Sequence, residues 1–135
     1  MYGVEAFVDW KPLDSLTFNL NYTWTHAEDS STGKALPRRP EHKFDFNATW
    51  SPVQDLSLSG NILYVSGWWD VAAISPYGSV RAQDYVTIDL AATYKINRYI
   101  SVFARADNLL DRQYENPMGY LQPGRAGYGG FTLSY

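Results

Sequence analysis

Leu16, Phe18, Leu20, Tyr22 and Trp24 alternate without a break with Ser15, Thr17, Asn19, Asn21, Thr23 and Thr25. A period of two held this long sends side chains to opposite faces of an extended chain, whereas a helix would scatter the same residues around its circumference. The pattern recurs along the sequence. Val4, Ala6, Val8 and Trp10 alternate with Glu5, Phe7 and Asp9, and Phe44, Phe46, Ala48 and Trp50 with Lys43, Asp45, Asn47 and Thr49. Leu56, Leu58, Ile62 and Tyr64 face away from Ser57, Ser59 and Asn61, although Leu63 and Val65 blur the upper half of that run. Val86, Ile88, Leu90, Ala92 and Tyr94 oppose Thr87, Asp89, Ala91 and Thr93, and Ile100, Val102, Ala104 and Ala106 oppose Ser101, Phe103, Arg105 and Asp107. At the C-terminus Phe131, Leu133 and Tyr135 point one way, Thr132 and Ser134 the other. These runs predict seven strands, at about 2–11, 15–26, 41–51, 56–69, 84–95 and 99–109, with the last ending at Tyr135.

The connections follow a rule of their own. Pro12-Leu13-Asp14, Pro52-Val53-Gln54-Asp55 and Ile96-Asn97-Arg98 read as tight turns, with proline presetting φ in the first two. Between them lie long polar stretches at 28–40, 71–83 and after Leu109. Short and long connections alternate strictly, so all turns gather at one end of the sheet and all long loops at the other. Aromatic residues of the apolar face collect at both ends. Trp10, Trp50, Tyr94 and Tyr135 stand at the turn or terminal end, and Tyr22, Trp24, Phe44, Tyr64 and Trp68 toward the loop end, with Leu20, Ala48, Leu90 and Ala104 between. Two aromatic belts around an aliphatic band match a membrane-spanning wall, and tilted strands of roughly 10–14 residues reach across an apolar band of ~25 Å. The fold class is therefore all-β, an antiparallel up-and-down meander of about seven long strands forming part of a transmembrane β-barrel. A soluble sandwich or lipocalin-like barrel would bury the same apolar face, but it needs neither the paired belts nor strands beyond the usual ~5–6 residues.

Composition narrows this further. The chain has 135 residues, enough for one domain, and aromatics make up 16% of it. Trp and Tyr favour membrane interfaces. A net charge of -3 gives no field that would attract nucleic acid, and the absence of cysteine removes disulfides and thiolate sites. No apolar run approaches the ~20 residues of a membrane helix, which leaves barrel strands untouched because they average out in hydropathy. The residues after Met1 carry two acids and no basic segment, unlike a secretory signal. Either the chain is not exported, or it is a piece of a longer protein.

Ala104-Arg-Ala-Asp-Asn-Leu-Leu-Asp-Arg-Gln-Tyr-Glu115, followed by Gln122-Pro-Gly-Arg125 and an aromatic terminus at Tyr135, resembles the C-terminal end of TonB-dependent outer-membrane receptors of the cobalamin and siderophore group. Pro37-Arg-Arg-Pro-Glu-His42 is similar to their loop-to-strand junctions, and Trp10-Lys-Pro-Leu-Asp14 before Leu16-Thr-Phe to their periplasmic hairpins. Gly127 and Gly129 depart from the bulkier residues usual there, and Tyr135 from the commoner Phe. The resemblance implies a barrel of about 22 strands around an N-terminal plug. Residues 1–135 would then be its C-terminal segment, with plug and earlier strands absent. An odd number of strands cannot close an antiparallel barrel, so the expected sheet is open, with two long edges. The implied function is energy-coupled uptake of a scarce ligand such as a ferric siderophore or cobalamin. The alternatives are a passive porin-like or small outer-membrane barrel, or a soluble barrel binding an apolar ligand.

No catalytic constellation is visible, and the reading calls for no enzyme, no cofactor and no metal site. His26 and His42, with Glu28, Asp29 and Glu41 nearby, suit a solvated rim better than metal ligation. Asp107 and Asp111 suggest calcium by spacing, but Asn108 and Asp111 accepting backbone N–H groups of a turn is the simpler reading. Arg105 and Asp107 share the inward face, and Lys34, Arg38 and Arg39 form a small basic cluster on a solvated loop. Trp68, Trp69, Tyr77, Arg81, Tyr114 and Tyr120 are the candidate ligand-binding residues of the external loops, where aromatics offer stacking and apolar contact. Trp10, Trp50, Tyr94, Tyr135, Tyr22, Trp24 and Tyr64 are the membrane girdle. Phe131, Leu133 and Tyr135 resemble the signal read by barrel-assembly machinery. The implied partners are outer-membrane lipid, that assembly machinery, a small-molecule ligand in the intact receptor, and the TonB complex through the missing plug.

Overall fold

The computed structural model describes residues 1–71 and 78–135. Its strands are β1 (Tyr2–Leu13), β2 (Leu16–His26), β3 (His42–Val53), β4 (Leu56–Val65), β5 (Trp69–Val71), β6 (Ser79–Arg81), β7 (Tyr85–Lys95), β8 (Ile100–Asp107) and β9 (Ala126–Leu133). Seven of them form one sheet in the order β1-β2-β3-β4-β7-β8-β9, and β5 and β6 form a small separate hairpin. Every pairing in the large sheet is antiparallel. The sheet is open, with β1 and β9 as its outer strands.

The register explains why alternation is so legible. Val8 pairs with Leu20 and Leu20 with Phe46, while Phe46 pairs with Ile62 and Ile62 with Ile88. On the other face Asp9, Asn19, Asn47, Asn61 and Asp89 form an equally continuous row. A slip of one residue anywhere would put apolar side chains into the polar row, so the two faces fix the register of all strands together. The polar face is hydrogen-bonded across strands. Asn61 Nδ2 donates to Asp45 Oδ1 and Asn47 Oδ1, each at 2.9 Å, and Asn19 Nδ2 donates to Asp9 Oδ1 at 2.6 Å. The Arg105 guanidinium donates to the Asp107 carboxylate on the same face, with Nη2 to Oδ2 at 2.7 Å. Phe103 breaks this polarity and lays its ring over Gly130, where an added Cβ would come within 2.8 Å of the ring. The ring thereby fills the space left by a strand glycine.

The three short connections share one end and the three long loops the other, as the chain pattern predicts. The turns differ in detail. Pro12 and Pro52 sit not in turns but within β1 and β3, where the register shifts between Trp10 and Leu13 and between Trp50 and Val53. Proline lacks the N–H that a regular ladder needs, so it occupies a bulge, and the chain reverses one step later at Asp14-Ser15 and Gln54-Asp55. The third turn closes on Asn97, whose Oδ1 accepts N–H bonds from Tyr99 at 2.8 Å and Ile100 at 3.0 Å.

Three expected boundaries move. β4 stops at Val65 rather than running to Trp69, because the chain folds inward at Ser66-Gly67. Gly67 lies so near the Ala82 carbonyl that a Cβ would meet it at 2.6 Å. The stretch expected as a bare second loop instead contains the β5–β6 hairpin, with Trp69 opposite Arg81. At the C-terminus β9 ends at Leu133, so Tyr135 lies beyond the ladder and is fully exposed.

Burial is distributed unevenly. Among the described residues the buried apolar side chains are Ala27, Val65, Trp68, Ala82 and Tyr85, all at the long-loop end. The apolar face of the sheet carries no covering layer among the described residues. Leu90 remains 49% exposed in mid-strand. A soluble sandwich would have buried this face as its core.

Candidate functional site

The long-loop end is a structure in its own right. Val65, Trp68, Ala82 and Tyr85 pack together, with Leu63, Tyr114 and Met118 against them. Leu63 and Val65 lie on the polar-face side of β4, since Leu63 pairs with Asp45 and Thr87. The described parts of the second and third loops therefore pack on the polar side of the sheet rather than the apolar one. Tyr114 of the third loop stacks on Tyr85 with centroids 4.0 Å apart, and Trp68 meets the same ring edge-on at 6.2 Å. Burial, and secondarily the Asp89 charge, raise the Tyr114 hydroxyl pKa above its ordinary 10.0, so it remains a neutral phenol.

Two buried polar side chains tie the loops together. Asp70 of β5 is 1% exposed. Its Oδ1 accepts Arg38 Nε at 2.9 Å and the Val71 N–H at 2.8 Å, and its Oδ2 accepts the Met118 N–H at 3.1 Å. Burial alone would raise this carboxyl's pKa. The Arg38 guanidinium and the two N–H groups outweigh it, and the pKa falls below the ordinary 3.8. Arg38 also donates its backbone N–H to the Trp69 carbonyl at 2.7 Å, from a left-handed φ of 59°.

Asn108 does the same for the third loop. It too is left-handed, with φ 48°, and 5% exposed. Its Nδ2 donates to the Arg112 and Pro123 carbonyls, its Oδ1 accepts the Arg112 N–H, and its own N–H donates to Asp89 Oδ1. Asp111 Oδ1 accepts the Arg125 N–H at 2.8 Å. Asn108 is thus a turn-forming acceptor, as the simpler sequence reading holds, whereas Asp111 accepts across the loop from Arg125 rather than from the turn. The amide of Asn108 can donate twice and accept at once, which a carboxylate cannot.

The candidate ligand-binding residues separate into three groups. Trp69, Arg81 and Tyr120 are exposed, Trp69 at 45% and Tyr120 at 64%. Trp68 is buried and Tyr114 half-buried within the loop core. Tyr77 lies outside the described residues. Arg81 lines a cleft of about 320 Å³ with Arg112, Tyr114, Glu115 and Met118. The belt residues stand where the register carries them. Trp10 stacks on Phe18 at 5.4 Å near the turns, and Trp50 pairs with Leu58 and Tyr94 with Val102 at the same end. At the loop end Tyr22 and Tyr64 flank Phe44, and Trp24 Nε1 points to Glu41 Oε1 at 3.4 Å. Tyr22 Oη lies 2.9 Å from His42 Nδ1, and His26 Nε2 lies 3.2 Å from Glu28 Oε1. Phe131 and Leu133 extend the apolar face opposite Val102 and Ile100. No three His, Asp or Glu side chains converge among the described residues.

Long antiparallel strands, apolar on one face and hydrogen-bonded polar on the other, with turns at one end and a knitted loop layer at the other, define a wall segment of a transmembrane β-barrel. The family model described as "TonB dependent receptor-like, beta-barrel" matches residues 1–109, and the chain belongs to that family of outer-membrane barrels. It is 26% identical over 99% of its length to the iron-regulated outer membrane virulence protein of Vibrio cholerae, covering 21% of that protein. It is 33% identical to the Vibrio cholerae vitamin B12 transporter BtuB over 74% of this chain and 16% of BtuB. The chain thus spans about a fifth of the first of these and less of the second. The fold matches the ferripyoverdine receptor of Pseudomonas aeruginosa with a TM-score of 0.82, at 19% identity, covering 97% of this chain and 19% of the receptor. It matches the siderophore receptor PirA of Acinetobacter baumannii with a TM-score of 0.81, at 18% identity, covering 98% of this chain and 22% of PirA.

Sequence reasoning missed Asp70. Its signal is an acid between Trp69 and Val71 in a short apolar alternation, which places its side chain opposite its exposed neighbours.

Proposed function

We propose that residues 1–135 form the C-terminal wall segment of a TonB-dependent active transporter for a scarce ligand such as a ferric siderophore or cobalamin. The observation that carries this reading is family membership across most of the chain, together with relatives named for iron regulation and vitamin B12 transport. In this reading the strands separate lipid from a polar lumen, and the long loops face outward and meet the ligand. Trp69, Arg81 and Tyr120 would contact it directly because they are the exposed candidates, with Trp68 and Tyr114 holding the surface that presents them. The Trp and Tyr belts would meet the lipid interfaces, where an apolar ring body and a polar tip suit the boundary. Phe131, Leu133 and Tyr135 would present the terminal signal to assembly machinery. TonB would act through the plug of the intact receptor.

The test is uptake. A strain lacking the full-length gene should lose TonB-dependent accumulation of one ferric siderophore or of cobalamin and regain it on complementation. Uptake that persists in a strain without TonB would instead support a passive pore. Alanine at Trp69, Arg81 and Tyr120 together should weaken ligand binding to whole cells while leaving the receptor's level in the outer membrane unchanged. Unaltered binding by that triple variant would remove these residues from the ligand surface.

A further inference from the structure

Asp70 is a buried carboxylate whose three donors come from three separate places in the chain. Arg38 belongs to the first long loop, Val71 to the hairpin of the second, and Met118 to the third. Its side chain has no exposure to water, while that of Arg38 is 59% exposed. A carboxylate without water must be satisfied by protein donors, and each donor removed leaves part of a charge unsolvated. Loss of one loop's donor therefore destabilises the buried arrangement as a whole, because a carboxylate left with too few protein donors favours states in which water reaches it. One further backbone bond joins two loops here, the Arg38 N–H donating to the Trp69 carbonyl, and each loop is closed on itself beside it, by the Leu36 N–H to Ala27 in the first, the Ala82 N–H to Trp68 in the second and the Gln122 N–H to Tyr114 in the third. The Trp68–Tyr85–Tyr114 cluster lies beside them.

We propose that Asp70 is the pin of a three-loop clasp, so that the described parts of the three long loops loosen together rather than one at a time. Arg38 and Asp70 are positioning residues. They set how the exposed candidates Trp69 and Tyr120 stand relative to each other, although one lies in the second loop and the other in the third. The inference concerns motion of the unliganded loops and holds whichever ligand the receptor takes, so its failure is distinguishable from failure of the transport reading.

Hydrogen exchange of the full-length receptor in detergent micelles, with Asp70→Asn and Arg38→Ala compared with the parent, tests it. Arg38→Ala is the sharper variant. Among the described residues Arg38 makes no hydrogen bond to the third loop, and its side chain lies partly in solvent. The expected result is exchange faster by at least about tenfold at Leu36, Ala82, Met118 and Gln122 together in either variant, with the strand amides at parent rates. Should Asp70→Asn fail to assemble, Arg38→Ala alone decides. Acceleration confined to the first two loops, or absent altogether, overturns the clasp. So does acceleration spread equally through β2, β3 and β7.

Discussion

Leu90 and Asp70 mark the two halves of this molecule. Leu90 is an aliphatic residue in mid-strand and is 49% exposed, whereas Asp70 is a carboxylate at the loop end and is 1% exposed. In a water-soluble domain these values would be reversed. The strand band buries little against itself because its apolar face is complementary to hydrocarbon, and its backbone groups are satisfied within the ladder. The loop end lies beyond that band and must provide its own interior. It does so with a small aromatic core and with buried polar side chains whose hydrogen-bonding capacity is filled. A membrane wall and its loops thus solve burial separately, with different solvents, although one continuous chain runs through both.

Substitutions on either side probe this contrast. The largest effect is expected from Trp68→Ala, which empties the loop core and should cost roughly 3–5 kcal/mol of local stability, read as loss of exchange protection in all three long loops. A cost confined to the second loop would show that the core is not shared. Next, Leu90→Arg places a charge on the mid-band apolar face and should cost about 2–4 kcal/mol when the intact barrel is folded into bilayers. The same substitution should be far milder in urea-soluble, lipid-free material, and an equal cost in both would refute a lipid-facing role for this face. Asn108→Ala removes three side-chain hydrogen bonds at a buried left-handed residue and should cost about 1–3 kcal/mol, visible as faster proteolysis of 109–125. The smallest effect should come from Lys11→Ala. Its ion pair with Asp14 at 3.3 Å is exposed and worth at most about 1 kcal/mol.

Acid sharpens the comparison in another way. The Asp70 pKa is depressed below 3.8 in the folded protein, so its stabilising contribution is complete above pH 3.8 and is lost as pH falls through the lower folded value. Loop exchange protection should therefore be unaffected by Asp70 titration between pH 7 and 5 and should decline only in stronger acid. The Asp70→Asn variant should lack that decline. Loosening of the parent loops near neutral pH, retained in the variant, would assign the effect to another group.

Much of this was legible in the chain, and the places where it was not are instructive. Period-two alternation placed seven main strands, since it follows directly from the pleat. Sequence places the turn ends a residue or two early because Pro12 and Pro52 signal a turn equally well when they mark the bulge before it. Leu63 and Val65 spoil the alternation of β4, and the structure shows why: they are apolar on the polar face because the loop core rests on them. The irregularity was therefore a trace of tertiary packing. Trp68 and Tyr114 look like Trp69 and Tyr120 in the sequence because composition does not distinguish a ring that faces solvent from one that faces another loop.

The strands, their two faces, the alternation of short and long connections, and the kind of wall they build are all written in the order of residues. These properties depend on neighbours two residues apart and on the solvent each face prefers. That Arg38, Asp70 and Met118 meet, that Asn108 gathers the third loop, and which aromatics remain exposed depend on the folded arrangement. Those contacts join residues 32 and 48 positions apart. Loop backbones have no periodicity to announce them, and a buried carboxylate is recognisable only once its donors are in place.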